Sequence, residues 1–193
     1  MRRFFSIDIT NFRGDAIINS LGYGRIRQPG LLFASILDKC SSIRKLVSEA
    51  EQLSQGKEIA DCFMTRSYCA GPFDYIIHVL TPFRHGRPGA GPDDSDLSLL
   101  KKAYWNALEL ARARGLKSVC LPSIGNGANG YSNEESFDAL TEVTAEYANE
   151  HPEMDIYVDV LYVEQTRGPV AEFECAAEEA LVDDELPGRL KRL

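Results

Sequence analysis

Three stretches of the sequence combine residue types that can hold an anionic, hydrogen-bonding ligand. The first is Leu121-Pro122-Ser123-Ile124-Gly125-Asn126-Gly127-Ala128-Asn129-Gly130-Tyr131-Ser132. Its three closely spaced glycines permit positive φ angles and close approach of the backbone, so a run of N–H groups can surround a diphosphate. The same glycines and asparagines also serve two consecutive tight turns, and the stretch alone leaves both readings open. It is not a P-loop, because no Gly-Lys-Ser/Thr follows. The second stretch runs from Asn19 through Ser20, Gly22 and Gly24 to Gly30 and feeds a helical pattern that opens at Leu31. The third is Ser6-Ile7-Asp8-Ile9-Thr10, where an acid at a strand end either accepts from an exocyclic amine or caps a turn.

These stretches must be positioned by the elements around them. Alternating or continuous apolar runs predict strands over residues 3–9, 15–21, 60–67, 75–80, 118–122 and 155–163. Helical spacing predicts helices over 31–55, with a break at Cys40-Ser41-Ser42, and over 96–114, 133–149 and 170–183. Ser132 followed by Glu135 has the spacing of a capping box at the start of the third of these. Strands alternating with helices imply a layered α/β sandwich. The first two strands are joined by residues 10–14 alone, too short for a helical crossover, so they are either antiparallel neighbours or separated in a mixed sheet. Two glycine loops that each lead from strand to helix can then converge at one end of the sheet and form a cleft.

Composition narrows the partner. The 193 residues carry 29 acids against 21 bases, a formal charge of −8, which argues against a general nucleic-acid binder. A small phosphate ligand is not excluded, since backbone donors need no net positive charge. No apolar run approaches the ~20 residues that span a bilayer, and no signal-peptide pattern follows Met1, so a soluble, cytoplasmic protein without membrane association is expected. The five cysteines contain no C-x-x-C pair and read as reduced thiols, mostly small core residues. Nothing has metal-ligand spacing, and no cofactor signature is present. His78, inside an apolar strand, reads as a satisfied core residue and His85 as a solvated loop residue.

Taken in order, the three stretches resemble the macrodomain family, the ADP-ribose-binding module. Ile7-Asp8-Ile9-Thr10 followed by Asp15-Ala16-Ile17-Ile18-Asn19-Ser20-Leu21-Gly22 is similar to the family's G-D-I-T and D-A-I-V-N-A-A-N segments. Val119-Cys120-Leu121-Pro122-Ser123-Ile124-Gly125-Asn126-Gly127, with Gly130-Tyr131, is similar to its I-A-F-P-A-I-S-T-G strand and G-Y-P turn. The resemblance runs from about Phe4 to Tyr162. It implies a three-layer α/β/α sandwich about a central mixed β-sheet of about six strands; length and apolar content predict one domain, over residues 1–186, and the basic tail over 187–193 is expected to fray.

What the resemblance implies for the site follows residue by residue. Asp8 takes the place of the acid that accepts from the adenine amine, with the Ile9 backbone beside it. Tyr162 takes that of the side chain packing on the adenine face, although a core aromatic at a strand end is an equal reading. Gly125, Asn126, Gly127, Ala128, Asn129 and Gly130 correspond to the diphosphate loop, introduced by Ser123. Asn19, Gly30 and Leu31, with Leu32, correspond to the facing loop. The expected ligand is ADP-ribose or a derivative, mono-ADP-ribose or O-acetyl-ADP-ribose, free or attached to an ADP-ribosylated protein.

The departures bear on activity. Where hydrolytic members carry a second Asn and an acid beyond a glycine run, this chain has Gly22 and Leu32, and the run is reduced to Gln28-Pro29-Gly30. Another hydrolytic branch uses a lysine in the first helix and an acid in the second loop, where residues 34–37 and Asn129 stand here. A general acid or base contributes ~10²–10⁴ in rate, so losing both sets predicts a binder first. The alternative is an ADP-ribosyl hydrolase or O-acetyl-ADP-ribose deacetylase with a different catalytic set.

Overall fold

The strands are β1 (Arg2–Phe5), β2 (Gly14–Gly22), β3 (Cys62–Arg66), β4 (Phe73–Thr81), β5 (Ser118–Leu121) and β6 (Asp155–Asp159). The helices are α1 (Leu31–Lys39), α2 (Ile43–Leu53), α3 (Asp94–Ala113) and α4 (Asn133–Glu150). The structure, a computed structural model, describes residues 2–5, 8–84 and 94–160. The expected helix over 170–183, the basic tail, Tyr162, His85 and Cys175 lie outside the described residues.

One sheet carries the strands in the order β1-β6-β5-β2-β4-β3. All neighbours are parallel except β3, which pairs antiparallel with β4. The central strands β2 and β4 are mostly apolar and buried along their middles rather than alternating, because both of their faces are covered. On one face Ala16, Ile18, Ile77, Val79, Val119 and Leu121 meet Leu100, Tyr104 and Leu108 of α3 and Leu140 of α4. On the other, Ile17, Leu21, Ile76, Leu80 and Cys120 meet Phe33 and Ile36 of α1 and Leu46 and Ala50 of α2. The fold is therefore the three-layer α/β/α sandwich with a mixed six-stranded sheet.

One local reading is corrected. The first strand does not reach residue 9: Ile9–Asn11 is a 3-10 turn whose cap is the Asp8 carboxylate, accepting from Thr10 N at 3.0 Å. A short acid that bonds its own backbone two residues on competes with the strand ladder. Of the two arrangements open for β1 and β2, the structure has the second: they are separated in a mixed sheet, with β6 and β5 between them. The break at residues 40–42 falls where expected, but Ser42 makes no side-chain cap bond. The capping box of α4 is complete, with Ser132 Oγ accepting from Glu135 N and the Glu135 carboxylate accepting from Ser132 N. Cys40 and Cys120 are buried and Cys62 half-buried, whereas Cys69 is exposed in the β3–β4 turn.

Candidate functional site

The chain makes a switch point at the C-terminal ends of β2 and β5. These strands are parallel neighbours, yet the connection after β2 leads to α1 on one face and that after β5 to α4 on the other. Connections that part to opposite faces leave a crevice between them, which is where ligands settle in open α/β sheets. Both glycine loops, residues 22–30 and 122–131, border it.

The second loop is built to present its backbone. Gly125 (φ +92°) and Gly130 (φ +85°) adopt conformations other residues avoid. A Cβ on Gly125 would lie 2.7 Å from the Tyr131 ring, so this position accepts only glycine without displacement. The loop is fixed at its base by Tyr104 of α3, whose hydroxyl accepts from Ile124 N at 2.7 Å and donates to Pro122 O at 3.3 Å. It closes through Gly130 N to Gly127 O and Tyr131 N to Gly125 O, at 3.2 and 3.1 Å. Between these points, among the described residues, no group accepts from the amides of Gly125, Asn126, Gly127, Ala128 and Asn129. Unpaired backbone donors are rare unless water or a ligand satisfies them. Ser123 Oγ, at the foot of the loop, is buried and likewise unpartnered.

The facing loop ends in a helix with an open N-terminus. Gly30 occupies the N-cap without a side-chain acceptor, and the first bond of α1 is Ala34 N to Gly30 O, leaving the amides of Leu31, Leu32 and Phe33 unengaged among the described residues. Such a terminus concentrates partial positive charge. The N-terminus of α4, by contrast, is closed by its capping box and carries Glu134 and Glu135 in its first turn. Leu31 is 89% exposed at this edge.

Asp8 sits at the far end of α1. Its Oδ1 accepts from Thr10 N and Oγ1 and its Oδ2 from Lys39 Nζ at 2.8 Å. Burial pulls its pKa up, but the bonds from Lys39 and Thr10 outweigh that and hold it below its ordinary value. From Leu31 to Lys39 the helical rise is roughly 12 Å, so the carboxylate and the free amides lie about a helix length apart.

Of the residues singled out in the sequence, Asp8, Ile9, Gly30, Leu31, Ser123 and 125–130 border this edge or the α1 flank. Asn19 does not present itself there: it is fully buried beneath α1, its Nδ2 3.1 Å from His78 Nδ1, while His78 Nε2 is 2.9 Å from Thr65 Oγ1. His78 is packed between Phe33 and Phe63, and burial pushes its pKa down to about 3. It is the neutral core histidine expected. Asn126 and Asn129 are also engaged, Asn126 Nδ2 with Asn133 Oδ1 at 3.2 Å and Asn129 Nδ2 with Thr81 O at 3.1 Å.

The supporting residue Tyr104 escaped the sequence reading. For Tyr104 the signal was a hydroxyl within the apolar face of α3, since a buried tyrosine needs a partner for its oxygen. An open groove of about 630 Å³ lies elsewhere, between Tyr23, Ile26 and Arg27 of the first loop and Ser54, Lys57 and Glu58 after α2. It shares only the first loop with the crevice and none of residues 123–130, so it is not the switch-point site. Among the described residues no group of His, Cys, Asp and Glu converges to hold a metal ion, and no helix is long and apolar enough to cross a membrane.

This geometry coincides with a family match. The Macro domain model matches residues 35–140. The chain belongs to the macrodomain family. Among similar proteins, the ADP-ribose glycohydrolase MACROD1 of Mus musculus is 27% identical over 164 residues, covering 83% of this chain and 47% of that protein. The O-acetyl-ADP-ribose deacetylase 1 of Pantoea vagans is 31% identical over 147 residues, covering 70% and 76%. The chain thus spans about half the length of the mouse relative. The Oceanobacillus iheyensis macrodomain with ADP superposes with a TM-score of 0.70 at 22% identity, over 84% of this chain and 88% of that one. The Trypanosoma brucei macrodomain in complex with ADP-ribose gives 0.68 at 21% identity, over 86% and 67%. Both share the macrodomain fold with this chain.

Proposed function

We propose that this macrodomain binds ADP-ribose, free or carried as mono-ADP-ribose on a protein, in the crevice between its two glycine loops. The observation that carries the reading is the run of five amides over residues 125–129 that have no acceptor among the described residues, set across the switch point from the uncapped N-terminus of α1. A diphosphate supplies the acceptors both need, and neither donor set requires a basic side chain. Asp8, one helix length away, is suited to accept from an adenine amine, because its two oxygens offer about four lone-pair sites and three are in use. The resemblance assigns the adenine face to Tyr162. Isothermal titration with ADP-ribose tests the reading, and AMP and free ribose should bind far more weakly because neither spans both ends.

The names of the relatives favour a second reading, hydrolysis at the distal ribose or of an acetyl ester on it. Hydrolysis needs a group that can take a proton from water. The polar side chains of the second loop are amides, which cannot, and both asparagines donate to protein partners already. Binding is therefore the primary reading and turnover the secondary one.

A further inference from the structure

We propose that Arg84 is the positioning residue of the diphosphate loop, setting affinity for the phosphates without touching them; this rests on the ADP-ribose reading above. Arg84 follows β4 by three residues, and its side chain is only 9% exposed, too deep to meet a ligand as a surface charge. Its Nε and Nη2 both lie 2.9 Å from Glu135 Oε1, and its Nη1 lies 3.7 Å from Asp96 Oδ2 at the start of α3. A planar guanidinium can reach carboxylates on two helices at once, which an ammonium cannot do in the same geometry.

The same residue holds the loop through its backbone. Arg84 N donates to Asn129 O at 2.8 Å, and the Asn129 side chain donates to Thr81 O at 3.1 Å. Gly130 turns over the Arg84 side chain, where a Cβ would sit 3.7 Å from Arg84 Cβ. Tyr104 pins the loop at its entry, Arg84 at its exit. Glu135, held by Arg84, is also the residue that closes the α4 capping box through Ser132 N. One buried cation thus ties the end of β4, the exit of the loop and the starts of α3 and α4 together. A loop of three glycines has much backbone freedom to lose, and fixing its five donors beforehand removes that cost from binding.

The test compares two ligands. Isothermal titration or competition with ADP-ribose and with adenosine, which lacks the diphosphate, is run on the wild type, Arg84→Met and Arg84→Lys. Arg84→Met should lose at least about tenfold in ADP-ribose affinity, ~1.4 kcal/mol, while adenosine affinity stays within about twofold, and Arg84→Lys should fall between. Arg84→Met removes the cation beside buried Asp96; if it does not fold, Glu135→Gln keeps an acceptor for Ser132 N, removes the charge, and should show the same selective loss at smaller size. An equal loss for both ligands, or none for either, overturns the role. A wild type that binds adenosine but not ADP-ribose any more tightly removes the binding reading itself, and the role with it.

Discussion

Asp8 Oδ2 and Lys39 Nζ meet at 2.8 Å, and through this contact the turn after β1 is fastened to the last turn of α1. Lys39 also donates to Thr10 Oγ1, so a single ammonium closes a small network around the 3-10 turn. The carboxylate proposed to read adenine is thereby held ionised and pointed by a residue of the helix whose other end is proposed to face the phosphates.

Lys39→Met should raise the Asp8 pKa, measured by NMR titration of its carboxyl. In the folded wild type this pKa is depressed: burial raises it, and the bonds from Lys39 and Thr10 more than offset that. A carboxylate with a depressed folded pKa contributes stability above its ordinary pKa, and that contribution is lost as pH falls through the folded value. Lys39→Met should therefore show a smaller loss of Tm on acidification below the ordinary carboxylate pKa. An unchanged Asp8 titration would mean that Lys39 does not engage it in solution.

Asp8→Ala should weaken ADP-ribose and adenosine alike, each by about tenfold, the loss of one charge-assisted hydrogen bond. This is the reverse of the selective pattern expected at Arg84. A loss confined to ADP-ribose would place Asp8 at the phosphates rather than at the base.

Two glycines of the second loop should behave differently. Gly125 has φ +92° and no room for a methyl beside Tyr131, so Gly125→Ala should cost about 1–3 kcal/mol of stability in addition to binding. A Cβ on Gly127 meets no atom within 4 Å. Gly127→Ala should leave Tm within a degree or two, yet reduce ADP-ribose affinity if its amide faces the phosphates. Chemical denaturation and titration of the two variants separate strain from ligand contact.

Burial lowers the His78 pKa from 6.5 to about 3. Between these values the unfolded chain binds the proton and the native state does not, so stability falls as pH drops below about 6.5, by up to ~1.4 kcal/mol per pH unit. His78→Gln should flatten the slope of Tm against pH in this window. A slope identical to that of the wild type would show that His78 is not held neutral.

Much of this was legible in the sequence where local pattern and tertiary packing agree. The apolar runs of β2 and β4, the α1–α2 break near Cys40 and the Ser132–Glu135 cap all fall where spacing predicts, because each is decided by residues close in the chain. The end of β1 was overrun because the bond from Thr10 N to Asp8 that turns the chain competes with an otherwise β-like run. Asn19 occupies a family ligand position in the sequence, but strand alternation puts it with Ile17 and Leu21 on the face that α1 covers, where it pairs with His78. The hold of Arg84 on Asn129 and Glu135 links residues far apart in sequence, and no local pattern announces it.

Turnover should be slow. Incubation with O-acetyl-ADP-ribose and with mono-ADP-ribosylated protein is expected to give release at or near the uncatalysed rate, since neither Asn126 nor Asn129 can act as a base. Release accelerated by ~10² or more would require a general acid or base outside the second loop and would favour the hydrolytic reading.

The central claim is that backbone donors at residues 125–129 and the start of α1 hold a diphosphate. Titration of the wild-type chain with ADP-ribose, adenosine and AMP, at low and high salt, tests it most directly. The account predicts saturable one-to-one binding with ADP-ribose well above adenosine and AMP, and only modest salt dependence because amides rather than surface cations hold the phosphates. No heat and no competition with ADP-ribose, or an affinity equal to that of adenosine, would contradict it.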